Sequence, residues 1–210
     1  MEEFVLKNRK RLIAVLAFLT AALLLGTSFA PIFFSETIQA QENEDITVTA
    51  VVEAWLDFQV STTTLNITPS LVQADGTLNV GSTSDLDLSV GTNSPTGWQV
   101  EIRGANNGLY STARDHTIGS VTATSTIATG TEAYGANATS SNATIGSYYD
   151  YYGTDTVGEI RGVDRSLASK NTPNTLESVA DMQVKATASE TTPPGTDYED
   201  TITLTASAVL

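Results

Sequence analysis

The sequence predicts an all-β fold, a single antiparallel β-sandwich behind an N-terminal signal or membrane helix, and three observations carry that expectation. Short runs of alternating apolar and polar residues recur along the chain, which is the period of a strand with one face in a core. Turn signals such as Asp75-Gly76 and Ser94-Pro95-Thr96-Gly97 separate those runs. Beyond the export segment no window of similar length carries a helical apolar stripe.

The first run is Ile46 to Val60. Its even positions Ile46, Val48, Ala50, Val52, Ala54, Leu56, Phe58 and Val60 are apolar, while Thr47, Thr49, Glu53, Asp57 and Gln59 face the other way. A strand of that length would run about 50 Å. It is therefore expected to break between Val52 and Leu56 and to serve both sheets. Leu65 and Ile67 alternate next and stop at Pro69; Leu78 and Val80 follow the Asp75-Gly76 turn. Leu86, Leu88 and Val90 then oppose Asp85, Asp87 and Ser89, and Trp98, Val100 and Ile102 alternate behind the Pro95-Gly97 turn. From Tyr110 to Asn174 the chain is rich in Thr, Ser, Gly, Ala and Asn, which predicts long loops or short edge strands around Thr117–Thr122 and Thr156–Ile160. Order returns with Met182, Val184, Ala186 and Ala188, and a last strand turns Ile202, Leu204, Ala206 and Ala208 inward.

Residues 1–40 read as a targeting segment. Lys7, Arg9, Lys10 and Arg11 precede an apolar run from Leu12, the layout of a secretory signal with its best small-residue cut after Ala40. Apolar character continues to Phe34, so residues 12–34 are also long enough to span a bilayer as a retained anchor. The β-sandwich is placed at residues 41–210. No LPxTG sorting signal occurs, so attachment is expected through the N-terminal segment or without a covalent link.

The chain has 10 basic and 24 acidic residues and a net charge of −14. Such a balance disfavours nucleic acid and anionic lipid as partners. Membrane contact is expected only through the N-terminal segment, if it is retained. With no cysteine, the exported part can have neither a lipidated cysteine nor disulfides, and its core must hold it. Simple bacterial export fits best, to the medium or the cell surface.

Thr92-Asn93-Ser94-Pro95-Thr96-Gly97-Trp98-Gln99-Val100 and Thr192-Pro193-Pro194-Gly195-Thr196-Asp197-Tyr198, with the strand that follows to Thr205, resemble the WxL-type surface domains of Gram-positive bacteria. The closing turn also resembles the ends of spore-coat U-type and archaic pilin subunits. The resemblance implies an immunoglobulin-like or pilin-like sandwich with a surface or assembly role, and cell-wall polymer or a surface protein as partner. The first motif reads Trp98-Gln99-Val100 in place of Trp-x-Leu, and the second holds no tryptophan.

Chemistry-bearing residues are sparse. His116 is the single histidine; Asp115 beside it points to the other face of a strand, and no Gly-x-Ser-x-Gly elbow accompanies it. No enzyme activity and no cofactor are expected. Calcium needs six to eight oxygens; Asp150, Asp155 and Asp164 are the candidates, against a solvated acidic surface. Tyr148, Tyr149, Tyr151 and Tyr152 form a knot around Asp150. If the knot is a strand, Tyr148 and Tyr152 share one face and Tyr149 and Tyr151 the other, so one pair packs while the other meets a partner protein, a second copy or a sugar. Trp98 is expected in the core, and Trp55, at an odd position, either marks the bend or stands exposed as an interface residue. An isopeptide cross-link needs a buried lysine beside an asparagine and an acid. Lys170 and Lys185 are the lysines after the export segment, neither lies in the first run, and no cross-link is expected.

Three functional readings follow. The first is a non-catalytic, wall-associated surface domain of WxL-like type. The second is a subunit of a filament or coat assembled by strand exchange. The third is a carbohydrate-binding module using Tyr148–Tyr152.

Overall fold

The computed structural model describes residues 49–209. The targeting segment and Ile46–Val48 lie outside the described residues. Strand order begins with β1 (Leu56–Val60), β2 (Val80–Ser82), β3 (Leu86–Thr92), β4 (Trp98–Gly104), β5 (Gly108–Ser111), β6 (His116–Gly119) and β7 (Thr124–Thr126). It continues with β8 (Ala133–Thr139), β9 (Thr144–Ile145), β10 (Thr156–Gly158), β11 (Arg165–Lys170), β12 (Asn174–Thr187), β13 (Tyr198–Glu199) and β14 (Ile202–Ala208). The described chain is all-β, without a helix among these residues.

The largest sheet runs β1-β3-β12-β8-β10-β7, with β2 pairing β12. A second runs β14-β4-β11-β9 and a third β13-β5-β6. All these strand pairs are antiparallel. Alternation explains the core. Leu86, Leu88 and Val90 of β3, Ala136 and Ala138 of β8 and Met182 and Val184 of β12 share one cluster with Trp98, Val100, Ile102 and Leu167 from the second sheet. Trp98 is fully buried and its indole N–H donates to Asn174 Oδ1 at 2.8 Å. Asn174 in turn donates to the Val90 carbonyl at 2.7 Å, tying the two sheets through one side chain. The turn that launches Trp98 needs glycine: Gly97 has φ of 81°, and a Cβ there would lie 1.7 Å from the Lys170 carbonyl oxygen.

Three expectations are corrected. The run Ile46–Val60 breaks where expected, with pairing beginning at Leu56 opposite Thr92, but its described residues ahead of the break serve no second sheet. The described residues upstream, 49–55, join no ladder, and Val51 and Val52 stand 90% and 84% exposed. The Tyr110–Asn174 region does hold short strands, yet β8 within it is central, between β12 and β10, and buried from Ala133 to Ala138. Its small residues permit close approach. A Cβ on Gly135 would meet the Gly158 carbonyl oxygen at 2.5 Å. Finally, Tyr148–Tyr152 is a turn, not a strand: Tyr149 N–H donates back to the Gly146 carbonyl and Tyr151 N–H to that of Tyr149, so the two-face alternation does not apply.

Candidate functional site

Trp55 is held by its backbone. Its N–H donates to Asn93 Oδ1 at 2.9 Å, its carbonyl accepts from Thr92 Oγ1 at 2.7 Å, and Asn93 Nδ2 donates to the Glu53 carbonyl at 2.7 Å. These bonds replace the ladder that β3 no longer supplies. The indole reaches across Gly91. A Cβ at Gly91 would lie 3.0 Å from Trp55 Cη2 and 2.5 Å from the Leu176 nitrogen, so a bare backbone lets the ring settle there. Trp55 remains 44% exposed, and Val51, Val52, Leu56 and Leu176 are exposed with it. The result is an apolar edge with a braced aromatic.

Along the outward face of the same sheet stand carboxylates. Asp87 pairs directly across from Asp181. Partial burial, with Asp87 and Asp85 nearby, holds the Asp181 carboxyl above its usual range. Asp85 accepts from Tyr152 Oη at 2.9 Å and from Gln183 Nε2 at 2.8 Å, and Asp87 accepts from Ser178 Oγ at 2.7 Å.

The tyrosine knot divides by burial. Tyr149 has no exposed surface, donates to the Glu159 carbonyl at 2.7 Å, and has its hydroxyl pushed well up by burial. It is a core residue and offers nothing to a partner. Tyr148 is half-buried beneath the Arg165 guanidinium, 4.5 Å from its ring centroid. Tyr152 spends its hydroxyl on Asp85. Of the four, Tyr151 is the exposed one.

The calcium candidates are not brought together. Asp155 bonds Lys185 at 3.2 Å, Asp164 lies 3.9 Å from Arg103, and Asp150 is exposed. Among the described residues no group of three His, Asp or Glu could hold a metal ion. His116 meets Glu132 at 2.9 Å, with Thr192 Oγ1 donating to the same carboxylate oxygen and the Tyr198 ring edge-on at 6.2 Å. Asp115 instead accepts from Tyr110 Oη at 3.0 Å.

Two buried polar groupings escaped sequence reasoning. Glu159 accepts from Arg165 Nη2 at 3.1 Å and Ala123 N–H at 2.8 Å, with Arg161 Nε at 3.2 Å. No motif marks it, since Ala123 and Arg165 come from other segments and only Arg161 is a near neighbour in sequence. Lys185 and Asn137 lie side by side on β12 and β8, under the segment Tyr151–Gly158. Asn137-Ala138-Thr139 reads as a glycosylation triplet, a signal pointing outward for a side chain that is fully buried. No protein-family model, no curated protein and no solved structure matches the chain.

Proposed function

We propose that this chain is an exported, non-catalytic bacterial surface protein with a structural or adhesive role. In this reading it is an immunoglobulin-like or pilin-like sandwich that contacts cell-wall polymer in the manner of a WxL-like domain. The observation that carries it is the Trp55 edge, where a braced, exposed indole lies over Gly91 near the Leu176 backbone, and Val51 and Val52 just ahead of it in the chain are exposed as well. A rigid exposed aromatic with its backbone already fixed loses little entropy on contact, which makes it a binding anchor. The acidic, cysteine-free composition and the basic-then-apolar N-terminus fit export. The test is co-sedimentation of the full chain with purified peptidoglycan sacculi, against a parallel spin without them. The chain is expected in the pellet, and Trp55→Ala is expected to lower the bound fraction about tenfold. A chain that stays in the supernatant, or a variant that pellets equally, removes the wall-contact reading.

A second reading has its own support. The described residues before β1 belong to no strand, although their even positions are apolar, and among the described residues β14 pairs with β4 alone. A free alternating segment and a free edge in one chain are the two halves of strand addition between copies. Light scattering of the full chain is then expected to show concentration-dependent polymers that Val52→Asp abolishes. A monomer at all concentrations rules this reading out.

A further inference from the structure

β12 turns Val184 and Ala186 into the core, so Lys185 between them faces outward; β8 does the same with Asn137, between Ala136 and Ala138. Lys185 stands opposite Gly135, and Asn137 opposite Gln183, which makes Lys185 and Asn137 diagonal neighbours on one face. Such neighbours lie about 7 Å apart, within reach of a lysine. An outward face of a sheet ordinarily meets water. This one is covered, because the segment Tyr151–Gly158 crosses it and buries Val157 against Ala133. Lys185 keeps 8% of its surface and Asn137 none.

The polar atoms beneath that cover converge. Lys185 Nζ donates to the Thr154 carbonyl at 2.6 Å and to Asp155 Oδ1 at 3.2 Å. Asn137 Nδ2 donates to the same Thr154 carbonyl at 3.1 Å, and to those of Tyr151 and Thr156 at 3.3 and 3.2 Å. The amine and the amide nitrogen therefore stand on one acceptor, within the span of two hydrogen bonds. Asn137 Oδ1 has no donor among the described residues, although it is buried. Turning the amide over gives no relief, since Oδ1 would then face three carbonyl oxygens. A buried lysine and a buried asparagine, whose carbonyl lacks a partner among the described residues, thus stand together, with a half-exposed carboxylate on the lysine.

We propose that Lys185 and Asn137 become joined by an intramolecular isopeptide bond, with Asp155 as the proton carrier. Asp155 takes one proton from the Lys185 ammonium, and the free amine attacks Asn137 Cγ. The Nζ–Cγ bond forms and negative charge moves onto Oδ1. One proton passes from the attacking nitrogen to Nδ2, the Cγ–Nδ2 bond breaks, and the carbonyl re-forms. Ammonia leaves and takes the proton held by Asp155, which restores the carboxylate. The ammonium of lysine and the primary amide become a secondary amide and free ammonium, with no oxidant, reductant or water consumed. Enclosure supplies the effective concentration that amine-for-amine exchange needs, and the escape of ammonia makes it one-way. The bond runs between two central strands instead of from the first strand, and it removes a buried charge. It stands apart from the surface role proposed above.

Mass spectrometry of a tryptic digest of the denatured full chain decides the matter. Cleavage after Arg114, Arg161 and Lys170 frees the peptide Asp115–Arg161, which carries Asn137, and the peptide beginning at Asn171. The expected product is Asp115–Arg161 joined to Asn171–Leu210, uncut after Lys185, at their combined mass less one ammonia. Asp155 is half-exposed at its side chain, and Asp155→Ala is expected to lower the joined fraction at least tenfold in chain that remains folded by circular dichroism. Lys185→Arg is expected to abolish it. Separate peptides from the unaltered chain, with an intact Asn137 amide and cleavage after Lys185, overturn the proposal. An undiminished joined fraction in Asp155→Ala overturns the role given to the carboxylate.

Discussion

Trp98→Ala is expected to lower the unfolding free energy by about 3–5 kcal/mol, the range for truncating a fully buried large aromatic. The indole has no exposed surface and lies at the start of β4, where both β11 and β14 pair with it, at Lys170 and Ala208. Its removal leaves a cavity between the sheets and takes the donor from Asn174 Oδ1, which the indole N–H holds at 2.8 Å. Domains of this size have about 5–15 kcal/mol in total, so the variant sits near its threshold. Trp98→Phe separates the two causes. It refills most of the cavity but leaves Asn174 Oδ1 without its indole donor, an expected loss of about 1–3 kcal/mol. Urea unfolding followed by circular dichroism reads both. A Trp98→Ala chain that unfolds at the wild-type midpoint would mean the indole does not hold the two sheets together.

What was legible in the sequence, and what was not, follows from the same physics. Leu86-Leu88-Val90 and Trp98-Val100-Ile102 could be read because each strand buries large side chains on one face, so period and burial coincide. The Ser94–Gly97 turn could be read because its glycine is forced. Ile46–Val60 misled because alternation reports which way side chains point, not whether a partner strand exists; β3 ends at Thr92 and leaves Val51 and Val52 in water. β8 was illegible for the opposite reason. Ala, Gly and Asn are weak strand formers, and here they are used because β10 and Val157 pack almost against the backbone. Tyr149 and the Lys185–Asn137 pair were hidden by chain folding. A turn points Tyr149 inward, and a crossing segment covers an outward face, neither of which a local pattern encodes.

Glu159 is the buried group whose removal tests that hidden layer most directly. Its carboxylate is 5% exposed at the side chain and joins Arg161 and Arg165, which come from the loop after β10 and from β11, to the Ala123 N–H ahead of β7. Burial pushes its pKa up, yet the Ala123 N–H and the two guanidinium groups outweigh that and hold the carboxyl below its usual range. Glu159→Gln keeps the shape and discards the charge, leaving two cations facing a neutral amide. The expected cost is about 3 kcal/mol, the low end for breaking a buried ion pair, because both arginines retain some contact with water. A carboxylate held below its unfolded value contributes its full stability above that value and loses it as pH falls through the folded one. Glutamine has nothing to titrate. The difference in urea midpoint between the two chains should therefore be complete at neutral pH and shrink below about pH 4. An equal midpoint at neutral pH, or a difference that persists unchanged in acid, would mean the guanidinium groups draw no stability from this carboxylate. The cover over Lys185 and Asn137 would be unaffected by that result, since its own hydrogen bonds run through Tyr151, Thr154 and Thr156.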